Sequence, residues 1–173
     1  MAASQLVYIM SPLPSSQPHL KEIHQLLYNF LWDGRGDKIK RSVIINEYKD
    51  GGLKMLDIQS FNCALKVKWV QKYLDHNNQA KWKLFFDYFI KQHDGQLLLT
   101  GNLKRADVDG LGIQDNFTKE IIKIWSDLNY EENPTHFRNS PIWYNSLIRI
   151  ANRPIFFRNW SSAGVNHVKD VLD

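Results

Sequence analysis

Apolar residues spaced three and four apart constrain this chain more than any other feature. Ile58, Phe61, Leu65, Trp69 and Tyr73 mark one such stripe. Leu20, Ile23, Leu27, Phe30 and Leu31 mark a second; Trp82, Phe85, Phe86, Phe89 and Ile90 a third; Phe117, Ile121, Ile124, Trp125 and Leu128 a fourth. A period near 3.6 gathers these residues on one side of an α-helix, and that side usually packs inward. The pattern predicts a mainly α fold with most of its aromatic residues in the core.

Helix boundaries are written between the stripes. Ser16 is placed to cap a helix with Pro18 in its first turn, and Asp33-Gly34 stops it. Asp57 caps the next helix, and Asp115 or Asn116 the one through Trp125. From Arg35 to Leu56 the helical period fails. Val43-Ile44-Ile45 is β-branched, Lys49-Asp50-Gly51-Gly52 breaks the chain, and Leu53-Lys54-Met55-Leu56 follows. A small β-hairpin or a turn-rich connector near residues 40–56 is expected, because Asp-Gly and Gly-Gly permit positive φ. Residues 100–115 and 129–141 read as loops. Trp143 to Ile150 reads as a short helix broken at Asn152-Arg153-Pro154, with a last helix through Val165, Val168, Val171 and Leu172.

The 173 residues, 43% of them apolar, suffice for one domain or two small ones. No run approaches the ~18 apolar residues of a membrane helix, so no membrane partner is expected. The single cysteine, Cys63, cannot form an internal disulfide and reads as an inert thiol on a helix. An intracellular location, cytoplasmic or nuclear, is expected. Net charge is +4. Residues 1–74 hold ten Lys/Arg against six Asp/Glu, while residues 75–173 hold twelve of each. The cations are densest at Arg35, Lys38, Lys40 and Arg41, with Asp37 among them. A local basic cluster is the footprint expected of phosphate binding.

Catalytic patterns are not found. A two-metal polymerase or nuclease site needs converging carboxylates, and the sequence has no Asp-Asp pair. Asp107-Val108-Asp109-Gly110-Leu111-Gly112 resembles the start of a calcium loop, but its twelfth position is Thr118, where a bidentate Glu is required. It reads as a turn. Histidines 19, 24, 76, 93, 136 and 167 show no metal-ligand spacing. No catalytic residue, metal or cofactor is expected in this chain alone.

One ordered series of short motifs carries a resemblance. Tyr28-Asn29-Phe30-Leu31-Trp32-Asp33-Gly34 is followed by Asp37-Lys38-Ile39-Lys40-Arg41, then Gly51-Gly52-Leu53, then Asn62, Ala64-Leu65 and Trp69. The series resembles the region just downstream of the polymerase core in reverse transcriptases of non-LTR retrotransposons. There an aromatic F-x-W helix, a basic stretch, G-G-L and N-x-A-L-x-x-x-W follow one another. Lys81-Trp82, Ile142-Trp143-Tyr144, Asn152-Arg153-Pro154 and Trp160 extend the likeness toward the C-terminus. The family's aromatic-x-Asp-Asp catalytic motif is missing. The resemblance therefore implies a thumb-like region over residues 1–74 and a helical post-polymerase region over 75–173. It further implies contact with RNA or an RNA/DNA duplex backbone through Arg35, Lys38, Lys40, Arg41 and Lys66. Two other readings compete: a helical protein-interaction module, betrayed by a bare patch at Trp82 and Phe86, and a decayed fragment with no function of its own.

Overall fold

The computed structural model describes residues 2–172, with side chains from residue 5 onward. It is mainly α, as the periodicity predicts. Contacts divide the chain into two compact units, Met1–Leu65 and Lys66–Asp173. The division lies inside one helix, nine residues ahead of the 74/75 boundary that charge and motifs suggested.

The first unit contains α1 (Ala2–Met10), α2 (Gln17–Leu31), α3 (Arg41–Ile45) and the start of α4 (Ile58–Leu74). Ser16 caps α2: its side chain accepts from the His19 N–H, and Pro18 lies in the first turn. Asp57 does the same for α4 by accepting from Ser60 N–H at 3.0 Å. Met10, Leu20, Ile58 and Leu65 form a small buried core, with Leu6, Val7, Ile23 and Leu27 against it.

Of the two forms expected near residues 40–56, the chain takes the turn-rich one. Val43-Ile44-Ile45 lies within helix α3, and Tyr48–Asp50 is a 3₁₀ turn. The chain then folds back, and Leu53 and Met55 both donate to Ile44 O, at 2.9 and 3.2 Å. Gly52 is needed here, because a Cβ on it would stand 2.0 Å from Asn46 O.

The second unit holds α5 (Trp82–Phe89), α6 (Gly95–Thr100), α7 (Asn116–Asn129), α8 (Arg158–Ser162) and α9 (Lys169–Leu172). Asp115, the first of the two expected caps, accepts from Thr118 N–H at 2.7 Å. The core is larger, running from Val70 through Phe86, Leu98, Ile121 and Trp143 to Tyr144. A two-stranded antiparallel pair, β1 (Arg149–Ile150) with β2 (Arg153–Pro154), sits here.

The helix expected from Trp143 to Ile150 does not form. Tyr144 has φ +50°. Asn145 donates through Nδ2 to Pro141 O at 2.6 Å and accepts from Leu147 N–H at 2.9 Å. Ser146 Oγ donates to Asp107 at 2.5 Å and accepts from Lys104 N–H at 2.7 Å. These side chains offer the backbone partners that a helix would otherwise supply. Trp69, expected in the core, is half-buried. It meets Trp82 and Phe117 edge-on, with ring centroids 4.8 and 5.6 Å away.

Candidate nucleic-acid interface

Three of the five expected contact residues, Arg35, Lys38 and Lys40, lie on the segment that links α2 to α3, and a fourth, Arg41, opens α3. The segment leaves α2 by a sharp turn. Asp33 and Gly34 both adopt left-handed backbone, φ +53° and +70°, and Gly34 N–H closes the helix onto Asn29 O at 2.8 Å. Aspartate tolerates this conformation better than most residues, and glycine adopts it without strain.

Arg41 secures the far end. Its Nε donates to Asp37 at 2.7 Å and its Nη2 to Gln25 Oε1, on α2, at 2.9 Å. Its guanidinium lies 4.4 Å from the Tyr28 ring centroid, and Tyr28 OH donates to the Arg41 carbonyl at 3.4 Å. Burial raises the Tyr28 pKa, while the guanidinium works in the opposite direction. Arg41 thus ties the segment to α2 and neutralises Asp37.

Arg35, Lys38 and Lys40 are exposed and make no ion pair among the described residues. Lys38 Nζ rests 5.8 Å from the Trp32 ring centroid, which holds its stem against the helix end and leaves the charge in water. The segment therefore presents three free cations beside one carboxylate that is already paired.

Lys66 corrects the expectation that it faces a nucleic-acid backbone. It is 0% exposed, and its ammonium lies 4.7 Å from the Phe117 ring centroid. Burial lowers its pKa, with Glu120 countering. The stripe at residues 61, 65, 69 and 73 suggested otherwise, but Asn62, Lys66 and Val70 are buried on α4 together with Ile58 and Leu65. The polar residues among them disguised the buried face. Cutting the chain at the structural boundary also moves Lys66, Lys68 and Lys72 into the second unit. The first unit then holds seven Lys/Arg against six Asp/Glu and the second fifteen against twelve. What distinguishes the first unit is its segment 35–41.

Two features escaped the sequence reading. Gln25 had no motif to mark it. Phe30 was counted with the core stripe, yet it is 89% exposed. A signal existed: residues two apart lie about 200° round a helix, so Tyr28 and Phe30 cannot both face one core. Tyr28 is the buried one.

The second unit has an open cleft of about 410 Å³ lined by Gln92, His93, Asp107, Tyr144, Arg153 and Phe156. Its titratable groups hold the fold together. His93 Nδ1 meets Tyr144 OH and its Nε2 meets Leu111 O, both at 3.0 Å. Asp107 takes Ser146 and Arg149. Asp109, the other acid of the calcium-like turn, points to Lys123 at 2.8 Å. Among the described residues no cluster of three His, Cys, Asp or Glu could hold a metal. None of their helices is long and apolar enough to cross a membrane.

A helical two-unit chain with a free-cation loop is the class that the structure defines. The whole chain is similar to a transposon TX1 uncharacterized 149 kDa protein of Xenopus laevis, at 23% identity over 184 residues. It spans 14% of that protein's length. No protein-family profile matches the chain, and no solved structure does.

Proposed function

We propose that this chain is a non-catalytic piece of a retrotransposon reverse transcriptase that contacts the backbone of template or primer nucleic acid. The segment 35–40 makes the contact. The observation that carries this reading is the set of three exposed, unpaired cations, Arg35, Lys38 and Lys40, on a segment held at both ends. The likeness to a transposon-encoded protein and the ordered motifs from Tyr28 to Trp69 support it. Cations that neutralise phosphates release counterions, so affinity falls with salt. Three contacts correspond to a log–log slope of roughly −2 on single strands and roughly −3 on B-form duplex. Replacing Arg35, Lys38 and Lys40 together by Ala should flatten that slope and weaken all sequences alike, since phosphate contacts carry no base information. Binding and salt slope unchanged in the triple variant would reject the loop as the contact.

A second reading rests on a different surface. The bare patch expected at Trp82 and Phe86 is absent, because Phe86 is buried and Trp82 half-buried. The outer side of α5 instead exposes Leu84, Phe85, Tyr88 and Phe89. A contiguous apolar face of this kind favours a protein partner. Co-purification of a partner that is lost in Phe85→Ser/Tyr88→Ser, with nucleic-acid affinity negligible at low salt, would favour that reading.

A further inference from the structure

Three aromatic residues occupy the last turn of α2 and its exit, and they differ in one respect. Tyr28 is buried and covered by the Arg41 guanidinium. Trp32 is half-buried and covered by the Lys38 ammonium. Phe30, between them in sequence, is 89% exposed, with no ring or cation over either face among the described residues. Leu26, one turn earlier, is exposed as well. A bare phenyl ring on the helix end from which a segment with three free cations departs is the pairing used to hold unpaired bases: the ring takes the base face and the cations track the phosphates.

We propose that the α2 end and the segment 35–40 bind a single strand of nucleic acid, with one base stacked on Phe30 and the flanking phosphates on Arg35, Lys38 and Lys40. The inference rests on the nucleic-acid reading above and names its substrate class. The occupant follows from charge and shape. An acidic protein helix would match the cations but offers no flat apolar face to a lone ring. In a duplex the base faces are already stacked on one another, so the ring gains nothing from it beyond the ends. A single strand satisfies both groups. Because every base has a π-face, the site should tolerate sequence.

The test uses the full chain and two fluorescent probes of about twelve nucleotides, a length within the usual single-strand site range: an oligouridylate and an RNA/DNA hybrid duplex. Phe30→Ala should weaken oligouridylate binding roughly 5- to 100-fold, the range expected for losing one stacked base. It should leave hybrid binding unchanged, and Phe30→Trp should retain or improve the single-strand affinity. The Arg35/Lys38/Lys40 triple Ala variant should weaken both probes. A thermal melt confirms that Phe30→Ala stays folded. Ultraviolet crosslinking of 4-thiouridine-substituted oligouridylate gives a second readout and should place the adduct on the peptide that contains Phe30. If Phe30→Ala binds oligouridylate like the parent while the triple variant does not, stacking is overturned and the phosphate reading stands. If neither set of changes alters binding, both fall. Equal loss on both probes from Phe30→Ala, or an adduct confined to another peptide, would also overturn the stacking site.

Discussion

In the second unit Arg105 reaches Asp127, Arg149 reaches Asp107 at 2.7 Å, and Lys119 and Lys123 share Asp109. In the first unit Arg41 reaches Asp37 and Lys54 reaches Glu47, but Arg35, Lys38 and Lys40 reach no carboxylate among the described residues. The second unit carries the larger formal excess of cations, and there too Lys68, Lys72 and Lys81 are exposed with no ion pair among the described residues; the first unit differs in holding three such cations within the six residues 35–40. Exposed ion pairs stabilise a fold by only about 0–1 kcal/mol each, but each removes a cation from the field that a phosphate would meet. Net charge counted along a sequence is thus a poor locator of a binding surface. Pairing and clustering decide it.

The cores differ in the same way, and the largest expected effect tests that difference. Trp143 is buried in the second unit. Its indole N–H donates to Val165 O at 2.8 Å, and its ring meets Phe156 and Phe157 edge-on. Trp143→Ala should cost about 3–5 kcal/mol, a large share of a total stability of about 5–15 kcal/mol. Circular-dichroism melting should show it as a collapse of the main transition. The triple loop variant, by contrast, should melt like the parent. A normal melt for Trp143→Ala would mean that the second unit is not organised round this ring.

Trp69→Ala should cost less, about 2 kcal/mol, because only part of the ring is removed from water. A loss matching that of Trp143→Ala would show the ring to be more deeply engaged than its edge contacts with Trp82 and Phe117 indicate. Arg41→Ala comes next, at about 1 kcal/mol, since its contacts are partly solvent-exposed. It sharpens the comparison by separating the cation that holds the segment from the cations that remain free. Arg41→Ala should lower the melting temperature slightly and leave the salt slope nearly intact, whereas the triple variant should do the reverse. The same slope loss from both would erase the distinction.

The starts of α2, α4 and α7 were legible because capping is local: Ser16, Asp57 and Asp115 each act on a backbone N–H three residues away. The 35–41 cluster was legible for the same reason. Long-range pairing hid the rest. Nothing near Lys66 in sequence announces Phe117, and nothing near Arg41 announces Gln25. The helix expected at 143–150 failed because Asn145 and Ser146 found backbone partners from Asn102 to Leu147, a choice that helical period does not encode.

The smallest effect concerns pH and again sets the units apart. His93 in the second unit is held neutral: Nε2 donates to Leu111 O and Nδ1 accepts from Tyr144 OH. Burial lowers its pKa below the ordinary 6.5, and the Leu111 carbonyl only partly opposes that. The unfolded chain therefore takes this proton first. Stability is full above about pH 6.5, falls as pH drops through the window below it, and levels off once the folded histidine is also protonated. The slope cannot exceed about 1.4 kcal/mol per pH unit for one group. In the first unit, burial pushes the Asp57 pKa up, but hydrogen bonds from Ser60 and Gln59 outweigh it and the net shift is downward. Its stabilising contribution is therefore present above the usual 3.8 and is lost only as pH falls through the lower folded value. Urea unfolding at pH 7 and pH 5 should thus show a loss that His93→Gln removes and Asp57→Asn does not. If the loss persists in His93→Gln, the proton is taken up elsewhere, and the buried imidazole is not what makes the second unit sensitive to mild acid.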